Sequence, residues 1–195
     1  MNIPNARERI LEAAVKIFAD KSFEGSRIDE IAREAKAPKS LIYYHFKSKD
    51  EILQVLTENF IAEYKCIIAA KQAQDKAKEL NERMKKVYYE FGQKNADLVR
   101  VMLIDSLKKT KEQPVLYKVL DALIEMDREL NPDEAYDVQE RRVAEFFTSF
   151  MPNYAYVCFA DSWIKYYGVG KDRFDELYLK TYTASHSAYH DNHKK

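Results

Sequence analysis

The sequence predicts an all-α fold, a three-helix head followed by a longer helical body, and three observations predict it. Apolar residues, 46% of the 195, recur at steps of three and four along most of the chain, the period of a helix face. Only four glycines occur, too few for the many tight turns of an all-β fold. The five prolines stand where helices would start or stop rather than within the apolar stripes.

Each element follows from its residues. Ile10, Leu11, Ala14, Ile17 and Phe18 form the apolar face of a first helix, and Gly25 ends the turn after it. Ser26 offers a hydroxyl cap and Asp29 stands three residues on, as in a capping box, so a second helix is expected over residues 27–35 with Ile28, Ile31, Ala32 and Ala35 inward. Lys36 and Ala37 make a short turn. Pro38 suits the first position of a third, short helix ending near His45 and Phe46. Ser48 caps a long fourth helix carrying Ile52, Leu53, Leu56, Phe60, Tyr64 and Ile68, expected to be the only continuous rigid link between the two halves. The head is placed at residues 1–50 and the body at 51–195.

Stripes continue through the body. Leu80, Met84, Val87, Tyr88 and Phe91 form one, and Leu98, Val101 and Met102 another. Pro114 and Pro132 open further helices, the second running through Val143, Phe146, Phe147 and Phe150 until Pro152 breaks or kinks it. Residues 153–167 are apolar almost all round and therefore need cover on more than one side. Gly168 and Gly170 stop that segment. A last helix presents Phe174, Leu177, Tyr178, Thr181, Tyr182 and Ser185 before a polar end that frays.

Composition bounds the function classes. The formal net charge is zero, so positive charge for a nucleic acid must be local. Cys66 and Cys158 lie far apart in helical stretches and read as reduced core residues. No apolar run approaches the roughly 20 residues of a membrane span, and residues 1–9 carry no apolar signal segment, so no membrane is expected and the compartment is the cytoplasm. Neither a Gly-rich phosphate loop nor a nucleophile elbow nor a metal-ligand motif occurs, so an enzyme is not expected and no cofactor is called for. His186 and His190 have the i, i+4 spacing of a metal pair, but no further ligand cluster supports them, and no metal is expected.

The second and third helices with their short turn make a helix-turn-helix, which places its second helix in the DNA major groove. Residues 36–49 hold four lysines and a histidine with no acid, the local excess that phosphates attract. Over residues 9–53 the chain resembles the TetR family of bacterial repressors. The resemblance rests on Ile10, Leu11, Ala13, Ala14 and Phe18, then Ile31, Ala32 and Ala35, then Ile42, Tyr43, Tyr44, His45, Phe46, Lys47, Lys49 and Leu53. Two positions depart from that pattern: Lys36 stands where the family usually has glycine, which obliges a left-handed or altered turn at some cost. Pro38 stands where a small hydroxyl residue often opens the recognition helix.

The resemblance implies double-stranded DNA as partner and assigns roles by position. Lys39, Ser40, Tyr44 and His45 become the base-reading set, with Lys39 donating to guanine O6 and N7 and Leu41 lying against a thymine methyl. Arg27, Tyr43, Lys47 and Lys49 become phosphate contacts, Lys49 and its amide at the dipole end of the fourth helix. It also implies nine or so helices, the last two pairing across a homodimer, and hence a near-palindromic operator. The excess apolar surface of those two helices points the same way.

Aromatic residues and methionines concentrate in the body. Together Met84, Tyr88, Phe91, Met102, Phe147, Phe150, Tyr154 and Trp163 have the make-up of a small-molecule site, largely apolar with a few hydroxyl handles. The expected function is therefore a DNA-binding transcriptional repressor released by a small hydrophobic or amphipathic inducer. The competing reading is the same fold without an inducer, regulated by protein partners.

Overall fold

In the computed structural model, residues 5–69, 90–108, 112–130 and 137–193 are described, and every regular element among them is helical. Helix α1 (Ala6–Gly25) opens on a capping box: Asn5 Oδ1 accepts from the Glu8 amide at 3.0 Å, and the Glu8 carboxylate accepts from the Asn5 amide at 2.8 Å. Its inward face is the expected one, with Ile10, Leu11, Ala14 and Phe18 buried. Helices α2 (Ile28–Glu34) and α3 (Lys39–His45) and the long α4 (Lys49–Ala69) follow. Ser48 caps α4 as expected, its Oγ accepting from the Glu51 amide at 3.2 Å.

The start of α2 differs from the sequence expectation. Ser26 is buried and extended at the end of α1, and its hydroxyl donates back to the Phe23 carbonyl at 2.6 Å. The cap is Arg27, whose amide is accepted by the Glu30 carboxylate at 3.0 Å. Asp29, the expected third box residue, turns its carboxylate to Lys39 instead. Pro38 stands at the cap of α3, one residue earlier than expected, because its extended ψ of 148° cannot belong to the helix.

The turn between α2 and α3 carries the anticipated cost. The Ala37 amide donates to the Ala32 carbonyl at 3.0 Å, a six-to-one closure that needs a left-handed residue between them, and Lys36 fills it with φ 50°. A side chain there crowds the following carbonyl, which glycine avoids. Lys36→Gly is expected to raise stability by about 1 kcal/mol. That is a thermal midpoint higher by about 2–4 °C for a chain of this size, read by scanning calorimetry.

The chain forms two units. The first comprises Met1–Ala73 and Asn95–Leu116. In it α5 (Ala96–Ser106) packs along α1. Within this unit Ile31, Ile42, Phe46, Ile52 and Leu53 are buried alongside Leu98, Val99 and Met102. Helix α6 (Val115–Leu130) starts directly after Pro114, as expected.

The second unit comprises Gln74–Lys94 and Tyr117–Lys195. Helix α7 (Val138–Glu145) is capped by Asp137, which accepts from the amides of Gln139 and Glu140; Pro132 lies outside the described residues. Pro152 does not break the run. Residues Phe146–Phe150 form a π-helical turn that leads straight into α8 (Met151–Tyr167), with the Met151 amide donating to the Phe146 carbonyl. The wider turn makes room for the proline ring, which in an α-helix would strike the carbonyl four residues back. Gly168, at φ 66°, closes α8 in the left-handed conformation.

Helix α9 (Lys171–His193) is joined to α8 and the π turn by a ladder of side-chain bonds. Tyr156 donates to Asp175 at 2.7 Å and Tyr178 to Asn153 at 2.9 Å; Ser149 pairs with Tyr182 at 2.9 Å and Thr148 with His186 Nδ1 at 3.1 Å. His186 is therefore buried within the helix pair, where the sequence suggested a fraying end. Cys66 is exposed and Cys158 partly buried, both as free thiols. Among the described residues no helix is long and apolar enough to cross a membrane.

Candidate nucleic-acid interface

Helix α3 is fixed from below and bare above. Ile42 and Phe46 are buried, and the Arg7 guanidinium lies 5.4 Å from the centre of the Phe46 ring. Helical spacing then turns Lys39, Ser40, Tyr43 and Tyr44 to one outward face, where all four are exposed, Tyr44 by 81%. Leu41 and His45 flank that face half-buried, the imidazole edge-on to Tyr44 at 5.0 Å.

The face carries its own counter-charge. Lys39 Nζ sits 2.8 Å from Asp29 Oδ1 on α2, and the hydrogen bond to that carboxylate holds the ammonium above the ordinary lysine range. A DNA base that accepts from Lys39 must displace Asp29, an exposed partner that water readily replaces. Arg27 is exposed at the cap of α2, and Lys47 is exposed with its amide bound to Glu51.

Lys49 is placed differently from the rest. Its ammonium donates to the carbonyls of Phe23 and Ser26 at 2.7 Å each and of Glu24 at 3.4 Å, and lies 4.9 Å from the Phe23 ring centre. Lys108, just beyond α5, reaches the same corner. Lys108 bonds Asp105 at 2.9 Å and Glu24, with its ammonium 5.6 Å from the same ring. Phe23, Glu24, Asp105 and Lys108 are absent from the sequence-derived set. They come together from segments more than 80 residues apart, Lys108 and Glu24 being separated by 84, and no local periodicity announces such a cluster.

The candidate ligand residues fall in several places. Phe150 and Tyr154 are buried with their rings tilted together at 4.3 Å, and Phe146 stacks on Phe150 at 6.0 Å. Phe91 is buried in the same unit, while Phe147 packs on Phe146 from outside and is 66% exposed. Trp163, nine residues past Tyr154 and so about 13 Å along the helix, lies against Tyr167 and Phe174. Met102 is fully buried in the first unit. Met84 and Tyr88 lie outside the described residues.

Comparison with known proteins agrees with this geometry. Residues 10–56 match the family described as bacterial regulatory proteins, tetR family. The chain is 40% identical over 58 residues to the HTH-type transcriptional repressor NicS of Pseudomonas putida, covering 30% of this chain and 27% of that protein. It is 30% identical over 53 residues to the biofilm operon icaADBC negative transcriptional regulator IcaR of Staphylococcus epidermidis, covering 27% and 29%. These alignments thus span less than a third of either relative. Over nearly its whole length the fold is similar to that of the fatty acid degradation regulator FadR from Bacillus halodurans, at TM-score 0.65 and 18% identity over 94% of this chain and 95% of that one. The transcriptional regulator FadR from Bacillus subtilis in complex with stearoyl-CoA gives TM-score 0.62 and 18% identity over 91% and 97%.

Proposed function

We propose that this chain, whose residues 10–56 match the tetR family of bacterial regulatory proteins, is a sequence-specific DNA-binding repressor released by a small hydrophobic or amphipathic ligand. The observation that carries the DNA reading is the outward face of α3, held rigid by Ile42 and Phe46 within the family-matched residues. The head, residues 1–50, reads bases through Lys39, Ser40, Tyr44 and His45, with Leu41 against a thymine methyl. Arg27, Tyr43, Lys47 and the Lys49 amide hold phosphates. The body, residues 51–195, senses the ligand and pairs the heads, in the cytoplasm.

Pairing through α8 and α9 is supported by what those helices leave uncovered. Phe159, Trp163, Tyr166, Tyr167 and Leu177 are all exposed in the single chain, large apolar side chains of the kind an interface covers. A two-fold dimer would cover them and set two recognition helices about one turn of DNA, roughly 34 Å, apart. The buried pair Phe150 and Tyr154, with half-buried Phe146 stacked on Phe150, supports an apolar ligand. Two structural neighbours are fatty-acid regulators by name or bound with an acyl-CoA, which favours the same class. Release by tenfold to a hundredfold requires only about 1.4–2.8 kcal/mol of differential affinity between the two head arrangements.

The test is selection of bound duplexes from random DNA. A near-palindromic site should emerge, and Lys39→Ala should relax preference at one position in each half-site, losing about 1–3 kcal/mol of discrimination. Recovery of no common sequence, or a uniform loss of affinity across sequences for Lys39→Ala, overturns the base-reading assignment.

A further inference from the structure

Helices α8 and α9 are rich in buried or half-buried tyrosines, and most of them use their hydroxyls. Tyr156 donates to Asp175, Tyr178 to Asn153, and Tyr182 pairs with Ser149. Tyr154 breaks this pattern: the residue is 7% exposed, its hydroxyl oxygen is buried, and among the described residues that oxygen has no hydrogen-bond partner. Buried tyrosine hydroxyls usually find one, because leaving a polar group unpaired away from water is costly.

The surroundings are apolar. The Tyr154 ring lies tilted against Phe150 at 4.3 Å, and Phe150 stacks in turn on Phe146. Cys158 stands one turn further along α8, and α8 also packs against the short helical turn Gly92–Lys94 that follows the buried Phe91. Burial, with a smaller contribution from Cys158, pushes the phenol well above its ordinary pKa, so the hydroxyl keeps its proton and is available as a donor. The π-helical turn Phe146–Phe150, an element that recurs at functional sites, supplies two of the three stacked rings.

We propose that Tyr154 is the polar handle of a ligand site in the second unit, donating its hydroxyl proton to a carbonyl oxygen on an otherwise apolar, uncharged part of the ligand. A site that leaves a buried hydroxyl unpaired when empty discriminates by pairing it when filled, and rejects the analogue that lacks the acceptor. This rests on the reading that the body senses a small molecule, and it adds the chemistry by which that molecule is chosen.

The experiment compares 2-acetylnaphthalene with 2-isopropylnaphthalene, near-isosteric molecules that differ in the acceptor oxygen. Both are titrated calorimetrically into the full chain and into Tyr154→Phe. Wild type should prefer the ketone by about two- to tenfold, the worth of one neutral hydrogen bond. The variant should lose that preference, bind the hydrocarbon as wild type does, and melt no lower than wild type, since it sheds an unpaired polar atom. A ketone preference that survives in Tyr154→Phe overturns the proposal. Equal binding of both probes by wild type overturns it while leaving ligand sensing in place; binding of neither removes both.

Discussion

Lys108→Met is expected to lower the free energy of unfolding by about 3–5 kcal/mol, the cost of taking the cation from a buried carboxylate. Asp105 is fully buried, and Lys108 brings it an ammonium at 2.9 Å that also bonds Glu24 and faces the Phe23 ring. Methionine keeps the stem and leaves the carboxylate in a low-dielectric interior without that cation. Urea unfolding measures the loss. Asp105→Leu in the same chain should recover most of it, because an apolar pair of similar volume needs no compensation. A loss below about 1 kcal/mol for the single variant would mean the pair behaves as a surface contact.

The same pair gives a pH dependence. Burial lowers the Lys108 pKa, but the bonds to Glu24 and Asp105 outweigh it, and the net direction is upward. A lysine whose folded pKa is raised contributes stability that is fully present below its unfolded value, about 10.4. That contribution is lost as pH rises from there through the folded value. Wild type and Lys108→Met should therefore differ by a constant amount at neutral pH and converge in strongly alkaline solution.

Periodicity and cap chemistry were legible wherever the decisive partner lay within a turn or two. The inward faces of α1 and α4, the Ser48 cap and the stop at Gly168 follow from residues a turn or two apart, whereas the left-handed turn at Lys36 was expected from the family resemblance. What the sequence misplaced was decided by partners at longer range or by an adjustment of the backbone itself. Ser26 looks like a cap, but the corner it occupies is closed by Lys49, 23 residues on, and its hydroxyl is drawn back to Phe23. Pro152 reads as a break because a helix-breaking residue says nothing about the neighbouring turn's ability to widen. Within the interface, the contact set on α3 came from the family resemblance, and it is the burial of Ile42 and Phe46 in the structure that turns Lys39, Ser40, Tyr43 and Tyr44 outward. The pairing of Lys39 with Asp29 and the role of Lys49 were not legible, since a lysine's spacing does not reveal whether its ammonium faces water or a ring of carbonyls.

Lys49 is where that difference becomes measurable. Its ammonium is surrounded by the carbonyls of Phe23, Glu24 and Ser26 and by the Phe23 ring, so it closes the corner between α1 and α2 from the first residue of α4. Hydrogen bonds from a charged donor contribute more than neutral ones, and Lys49→Met is expected to cost about 1.5–3 kcal/mol of stability. The carbonyls it leaves are partly buried and cannot all be reached by water. The substitution leaves the Lys49 backbone amide, at the first position of α4, unchanged. Below the melting temperature of the variant, the plot of log affinity for a selected duplex against log salt should therefore keep its wild-type slope. A side-chain ammonium resting on a phosphate would behave otherwise: its removal makes the slope shallower by about 0.9 while leaving the fold nearly as stable. Thermal scans of the free protein together with duplex titrations at four salt concentrations separate the two. Lower stability with an unchanged slope assigns the ammonium to the corner of the head, and a shallower slope with unchanged stability assigns it to the DNA.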